Sequence, residues 1–126
     1  MDVTPLIPEG RQIIQGYGAN GFRVSGVSYD SAVIVTPANT QAWDAPAQFS
    51  DLSEKDFSAL TDQAGEIDVV LLGSGARGEF FPPKLRDALK GKGLVVEAMD
   101  TGAACRTYNV LMAEGRRVAA ALMPVT

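Results

Sequence analysis

The second half of the chain alternates between short apolar runs and amphipathic segments, and this alternation constrains the fold more than any other feature. Apolar runs at 68–72, 94–98 and 118–123 predict strands, and the segments 83–90 and 101–114 between them predict helices. Strands that alternate with helices usually form a parallel sheet buried on both faces, with right-handed crossovers. We therefore expect an α/β sandwich whose central strands run parallel and are buried on both faces.

The first half of the chain carries strand patterns of a different kind. Residues 11–15 and 22–27 are short extended segments, and the turn-forming cluster at 16–21 separates them. This arrangement predicts an N-terminal antiparallel hairpin. A β-branched run at 31–36, closed by Pro37, predicts a further strand.

A capped helix is predicted over 54–64. Ser53 can accept hydrogen bonds from the free amides of the first turn, Asp56 follows three residues later, and Leu52 and Phe57 occupy the positions of a hydrophobic staple. The chain has 126 residues, of which 46% are hydrophobic and 21% are charged. This is the size and composition of one globular domain, so we expect a single α/β domain over 1–126.

The stretch VVLLGSGARGEFFPP contains the G-x-G-x-x-G spacing of a dinucleotide-binding loop. In a true site, the third glycine lies in the first turn of a helix whose N-terminus meets the pyrophosphate. Here Glu79, Phe80, Phe81 and two prolines follow Gly78 before a helix can begin. We therefore interpret the glycines as a tight turn after a buried strand, and we predict no nucleotide or other cofactor.

The composition limits the chemistry that the chain can perform. It contains no histidine, which removes the commonest general base, the Ser-His and Cys-His nucleophiles and the commonest metal ligand. The single cysteine, Cys105, lies next to Arg106, which favours a thiolate, but its small apolar neighbours favour inert packing. We expect no catalytic residues and no metal site, which favours a non-catalytic protein without settling the question.

A candidate binding crevice is predicted at the carboxyl edge of the sheet. If strands 68–72 and 94–98 are parallel neighbours, the loops that follow them meet at this edge, where α/β sheets bind ligands. The amides of this edge could receive an anion between two arginines; alternatively, the capping aspartate satisfies the helix amides and both arginines are solvated. The candidate residues are Gly73, Ser74, Gly75, Arg77, Phe80, Asp100, Thr101, Arg106 and Asn109.

Charge and hydropathy exclude two classes of partner. Residues 1–76 hold 3 basic and 10 acidic side chains, whereas residues 77–126 hold 8 and 5. Because these bases are interleaved with acids and the pI is near 4.7, we predict no nucleic-acid partner. No apolar run approaches the roughly 20 residues that span a bilayer, and the first residues do not resemble a signal peptide, so we expect a cytoplasmic protein that is not membrane-embedded.

Three stretches resemble one known family. They are GYGANGFRVSGVSYDSAVIVTP, VVLLGSGARGEFFPP and, most specifically, MDTGAACRTYNVLMAEGRRVAAALMPV. The family consists of small domains of unknown function and includes the mitochondrial complex I (NADH:ubiquinone oxidoreductase) assembly factor 3. The resemblance implies a three-layer α/β fold with a mixed sheet and no established enzyme activity for bacterial members. The chain departs from the mitochondrial member in having no organelle-targeting extension, so we expect a free-standing bacterial protein.

Two classes of function follow from these observations. The first is a non-catalytic binding or assembly module, which would assist assembly of membrane-bound respiratory or translocation complexes through protein contacts. It would use exposed Phe80 or Phe81 and the basic helix with Lys84, Arg86 and Lys90. The alternative is a small-molecule-binding protein, or a metal-independent enzyme, acting on an anionic metabolite at 73–77 and 100–109. The protein partner is unidentified, and a homo-oligomer stays open.

Overall fold

Two β-sheets and three α-helices make up the part of the chain that the computed structural model describes, which is residues 10–19 and 21–125. Short 3₁₀ helices precede and follow the first α-helix, at Phe49–Asp51, Glu54–Phe57 and Ala64–Glu66. The strands and α-helices occur in the order β1 (Ile14–Gly18), β2 (Gly21–Val24), β3 (Val27–Tyr29), β4 (Val33–Val35), β5 (Thr40–Ala42), α1 (Ser58–Thr61), β6 (Val69–Gly73), α2 (Pro83–Gly91), β7 (Val96–Met99), α3 (Thr101–Ala113) and β8 (Val118–Leu122).

The central sheet has five strands in the order β5-β4-β8-β6-β7. Strand β8 pairs parallel with β6 and antiparallel with β4, and β6 pairs parallel with β7. The prediction of a mixed sheet that is parallel in its core is therefore confirmed. Strand β5 was not predicted, because its sequence Thr-Gln-Ala lacks an apolar pattern and it forms the edge of the sheet beside β4.

Helices cover both faces of this sheet and produce the predicted three layers. Alternate residues of β8 point to opposite faces, as a pleated strand requires. Ala119 and Ala121 join the core that contains Leu60 of α1 and Leu89 of α2. The other residues of the strand join a second core, which contains Tyr108 of α3 and the buried side of the small sheet.

The N-terminal region is a three-stranded antiparallel sheet in the order β1-β2-β3. The predicted hairpin corresponds to its first two strands. The predicted strand at 22–27 is interrupted because Ser25 and Gly26 form a tight turn with positive φ, 46° and 85°. The first strand also extends further than predicted, because Gly16 and Gly18 belong to β1 rather than to the turn. Asn20 of that turn lies outside the described residues.

The predicted helix over 54–64 is shorter and less regular than expected. A 3₁₀ helix over Glu54–Phe57 leads into the four-residue α1, and a further 3₁₀ helix follows. At its start, the backbone amide of Ser53 donates to the carboxylate of Asp56 at 2.8 Å. Phe57 and Leu60 of this segment are buried, whereas Ala64 is only partly buried. The later helices agree with prediction to within one residue at each end.

Candidate functional site

The loops after β6 and β7 meet at the carboxyl edge of the sheet, as the parallel arrangement predicts. The amide of Ser74 donates to the carbonyl of Met99, and the amide of Thr101 donates to the carbonyl of Gly75, both at 2.9 Å. The structure therefore brings Ser74, Gly75 and Thr101 together, while Gly73 ends β6 directly beneath them.

The hydroxyl of Thr101 is the centre of this junction. The side chain is completely buried; its Oγ1 accepts a hydrogen bond from the Gly75 amide at 2.9 Å and donates one to the Met123 carbonyl at 2.6 Å. One hydroxyl thus connects the loop after β6, the first turn of α3 and the end of β8. The Gly75 amide is consequently occupied within the protein.

The first two glycines of the G-x-G-x-x-G stretch are required by packing and backbone conformation. A Cβ on Gly73 would lie 2.8 Å from Thr101 Oγ1 and 3.0 Å from Leu122 Cδ2, and Gly75 has a φ of +101°. A Cβ on Gly78 would meet open space. Because α2 begins only at Pro83, Gly78 lies outside the helix, as the interpretation of this loop as a turn requires.

Ser74 shapes the loop rather than facing solvent. Its Oγ lies 2.7 Å from the Arg77 carbonyl oxygen and 3.1 Å from the Met99 carbonyl oxygen, and the residue is buried. Both contacts are to backbone acceptors, so the hydroxyl donates within the protein and has no base beside it.

An open groove of about 750 Å³ lies beside this junction, between the loop 74–79 and the segment 43–49. Its floor contains the buried side chains of Trp43, Phe49 and Met123. The indole N–H of Trp43 donates to the Asp56 carbonyl at 2.7 Å, so this side chain presents an apolar surface. The sequence did not predict that residues 43–49 line this groove, because only long-range packing brings them to the carboxyl edge of the sheet.

The charged side chains of the groove are mixed in sign. Arg77 lines it together with Asp44 and Glu79, and all three are exposed. Of the predicted site residues, Ser74, Gly75 and Arg77 line this groove. Two carboxylates against one guanidinium make it a poor receptor for an anion.

Asp100 caps α3. Its Oδ1 accepts a hydrogen bond from the Ala103 amide at 2.9 Å, and its carbonyl accepts one from the Ala104 amide at 3.0 Å. The amide of Thr101 is bonded to Gly75, so the first turn of α3 finds most of its acceptors within the chain. This geometry agrees with the alternative in which the aspartate satisfies the helix amides.

Arg106 and Asn109 line a different cleft, of about 310 Å³, along β1. The guanidinium of Arg106 and the phenol of Tyr17 both lie over Gly102, where a Cβ would be 3.3 Å from Arg106 Nη1 and 2.5 Å from Tyr17 Oη. The carboxamide of Asn109 accepts from the Ile14 amide at 2.9 Å and donates to the Ile14 carbonyl at 2.8 Å. Asn109 therefore completes the edge of β1, and the structure does not bring either residue to the groove.

Cys105 is part of the core. It is 3% exposed, and burial raises the pKa of its thiol to about 12, although the neighbouring Arg106 acts in the opposite direction. Burial likewise raises the pKa of Tyr108, whose hydroxyl donates to the Gln12 carbonyl at 2.9 Å. A neutral, buried thiol agrees with the packing interpretation of this cysteine.

Phe80 and Phe81 are adjacent in sequence but differ completely in exposure. Phe80 is 78% exposed, whereas Phe81 is 4% exposed and packs in a tilted arrangement against Phe49, with ring centroids 6.3 Å apart. The guanidinium of Arg86 lies 5.9 Å from the centroid of the Phe81 ring. Of the two aromatic residues that the sequence offered as an exposed anchor, Phe80 is therefore the one that this loop presents to solvent.

Several features are absent from residues 10–19 and 21–125. No group of three or more potential metal ligands occurs there, and none of the helices is long and apolar enough to cross a membrane. Every buried side-chain nitrogen or oxygen in this part of the chain has a hydrogen-bond partner.

Comparison with known proteins gives one family match and several relatives. A family described as "Protein of unknown function (DUF498/DUF598)" matches residues 14–123. An uncharacterised protein of Rhodobacter capsulatus is 38% identical over 112 residues, which are 89% of this chain and 84% of that protein. The NADH dehydrogenase [ubiquinone] 1 alpha subcomplex assembly factor 3 of Bos taurus is 33% identical over 111 residues, which are 88% of this chain and 60% of that factor.

A solved structure has a similar fold over nearly its whole length. A protein of Bartonella henselae, described as an outer membrane protein, aligns with a TM-score of 0.82 at 36% identity, covering 93% of this chain and 98% of that one. The assembly factor is substantially longer than the matched region, since this chain spans 60% of its length.

Proposed function

The chain belongs to the family of proteins of unknown function DUF498/DUF598, and we propose that it is a non-catalytic binding module that assists assembly of a larger complex through protein contacts. Relatives from vertebrates that are 31–35% identical carry the name of complex I assembly factor 3, which supports an assembly role. A membrane-bound respiratory complex is the client that this relationship suggests, with a translocation complex as the second choice.

The exposure of Phe80 carries the proposal. Its neighbour Phe81 is anchored in the core against Phe49, and Pro82 and Pro83 follow, so the backbone that bears Phe80 is fixed. Leaving a whole phenylalanine ring in water forgoes about 1.5–3 kcal/mol of burial free energy. Exposed aromatic residues on rigid supports are typical anchors of protein interfaces, because little conformational entropy is lost when they bind.

The polar groups near the carboxyl edge support a non-catalytic role. The hydroxyls of Ser74 and Thr101 donate to backbone carbonyls, and the Cys105 thiol is buried with a raised pKa. A nucleophile needs an adjacent base or a lowered pKa, and these three groups have neither.

The groove beside Arg77 favours a second candidate, a small-molecule-binding protein or a metal-independent enzyme. Its volume of about 750 Å³ is within the range of ligand pockets, roughly 300–1,000 Å³, and its floor is apolar. Because Asp44 and Glu79 also line it, a neutral or zwitterionic compound suits the groove better than the anionic metabolite that the sequence suggested.

Affinity capture from native cells tests the assembly proposal. Wild-type protein, Phe80→Ala and the control Val110→Ala are compared; Val110 is 57% exposed on α3. We expect Phe80→Ala to reduce recovery of the principal partner at least tenfold, since truncating an interface anchor costs about 2 kcal/mol or more, while Val110→Ala does not. Equal recovery by all three proteins would contradict the assignment of Phe80.

Thermal unfolding in the presence of metabolite pools tests the second candidate. A compound that binds only the folded protein raises Tm. If a compound raises Tm in the wild type and this shift is lost in Ala76→Trp, which fills the groove, then the groove is a ligand site. The assembly proposal predicts no such compound.

A further inference from the structure

We infer that the protein surface that receives Phe80 is acidic, with an apolar socket for the ring and carboxylates around it. This inference rests on the proposed function and adds the chemistry of the partner.

The segment that carries Phe80 is basic on a chain that is otherwise strongly acidic. Residues 77–92 hold 5 basic and 2 acidic side chains, whereas the whole chain holds 11 and 15, which leaves 6 basic and 13 acidic elsewhere. The basic side chains, all exposed, are Arg77, Lys84, Arg86, Lys90 and Lys92. Within the described part of the chain, only Lys92 among them forms an ion pair, with Glu54 at 3.2 Å.

Two of these cations lie where helix electrostatics disfavours them. Lys84 and Arg86 are within the first four residues of α2, and the first turn contains no acidic residue. The N-terminus of a helix carries partial positive charge, so cations there do not stabilise the helix. A residue choice that conflicts with local stability is often explained by function.

The cations lie within the area that one partner would cover. Helix α2 has nine residues and is therefore about 13 Å long, whereas a typical interface covers about 800 Å² on each protein. Arg86 and Lys90 are one turn apart on one flank of α2, and Lys84 lies on the other flank. The guanidinium of Arg86 packs over the ring of Phe81, which is the neighbour of Phe80 in the sequence.

The acidic residue beside Phe80 favours a protein over an anionic membrane as the occupant. Glu79 directly precedes Phe80 and is exposed. Insertion of Phe80 into a bilayer would bring Glu79 against the anionic headgroups, and one aromatic ring gives little insertion free energy. A protein surface can place carboxylates opposite the cations and leave Glu79 in water.

Photo-crosslinking in native cells tests this inference. The full chain is expressed with benzoylphenylalanine in place of Phe80, and the crosslinked peptides are sequenced by mass spectrometry. We expect peptides of a second protein with an excess of Asp and Glu over Lys and Arg around the crosslinked residue. Crosslink yield should fall at least tenfold in Lys84→Glu/Lys90→Glu and should change little in the matched control Arg23→Glu, an exposed cation on β2.

The outcomes separate this inference from the proposed function. Crosslinks to a protein segment without excess acid, to lipid, or to a second copy of this chain overturn the inference. So does a yield that the double charge reversal leaves unchanged. If affinity capture still depends on Phe80 when the crosslinking result overturns the inference, the assembly proposal stands. If position 80 crosslinks to no protein and Phe80→Ala recovers every partner in affinity capture, the inference and the assembly proposal both fail.

Discussion

Thr101 and Gly75 form two hydrogen bonds with each other. The Thr101 amide donates to the Gly75 carbonyl at 2.9 Å, and the Gly75 amide donates to Thr101 Oγ1 at the same distance. This reciprocal pair closes the space between the ends of β6 and β7, where the following chain segments diverge to opposite faces of the sheet. In many α/β proteins such a divergence is the ligand site; here the protein's own threonine fills it, and the open groove lies to one side.

Replacing Thr101 should therefore destabilise the fold. Thr101→Val keeps the shape but leaves the Gly75 amide and the Met123 carbonyl without their partner, at about 1–3 kcal/mol for each buried group. Urea unfolding should show a free energy of unfolding lowered by roughly 2–6 kcal/mol. Thr101→Ser, which keeps the hydroxyl, should lose only about 1 kcal/mol. Equal stability of the valine and serine variants would contradict the role of the hydroxyl.

The glycines of the G-x-G-x-x-G stretch should differ in their tolerance of substitution. Gly73→Ala places a methyl group 2.8 Å from Thr101 Oγ1 in a closely packed region, which should cost about 1–3 kcal/mol. Gly78→Ala meets open space and should change stability by no more than about 0.5 kcal/mol. Chemical denaturation of the two variants checks this. A dinucleotide-binding loop would instead need Gly78 for helix packing, so a large loss there would revive that interpretation.

The two adjacent phenylalanines should respond oppositely to truncation. Phe81→Ala removes a ring buried against Phe49 and should lower the free energy of unfolding by about 3–5 kcal/mol. Phe80→Ala should change it by less than about 0.5 kcal/mol, since the ring is exposed. Thermal and urea unfolding of both variants measure the difference. A marked loss of stability in Phe80→Ala would mean that the ring packs within the protein.

Cys105 should be unreactive in the folded protein and should make stability depend on pH. Because burial raises the pKa of the folded thiol to about 12, the unfolded chain releases this proton first as pH rises. The contribution is fully present below about pH 8.5 and is lost towards pH 12, at up to about 1.4 kcal/mol per pH unit. Cys105→Ala should weaken this dependence, with the Tyr108 contribution remaining. Rapid modification of the native thiol by iodoacetamide at pH 8 would disprove the assignment.

The side chain of Asn109 should stabilise the start of β1 at Ile14. Asn109→Ala removes both hydrogen bonds to the Ile14 backbone and should cost about 1–2 kcal/mol, with faster hydrogen exchange of the Ile14 amide. Asn109→Asp keeps an acceptor for that amide but loses the donor, so protection should be intermediate. Exchange measured by NMR distinguishes the three proteins. Unchanged protection in the alanine variant would leave Asn109 without this structural role.

The layers and the central strands could be predicted from the sequence because their signals are local. The runs at 68–72 and 118–123 are long and apolar, and Pro83 and Asp100 mark helix starts, so each element is specified by its own residues. Strand β5 could not be predicted, because Thr40–Ala42 is ordered by pairing with β4 rather than by its own pattern.

The candidate site was harder to predict because it depends on contacts between distant residues. Phe80 and Phe81 have the same sequence signal, and only the position of Phe49 decides which ring is buried. The sequence predicts that Arg106 and Arg77 share a crevice, because both follow neighbouring strands. The rotation of α3 against β1 places Arg106 beside Tyr17 instead, and helical spacing alone does not specify that rotation.

The central position of β8 has a consequence for how the chain reaches its fold. This strand follows all the others described, yet it lies between β4 and β6. Its residue Leu122 pairs with Val33 of β4, which is far away in the sequence. Until residues 118–122 arrive, β4 and β6 each have an unpaired, strongly apolar edge. Non-local pairing of this kind folds slowly, and exposed edges promote aggregation. During synthesis, the edges of β4 and β6 therefore stay unprotected until β8 has been made and has paired with both strands.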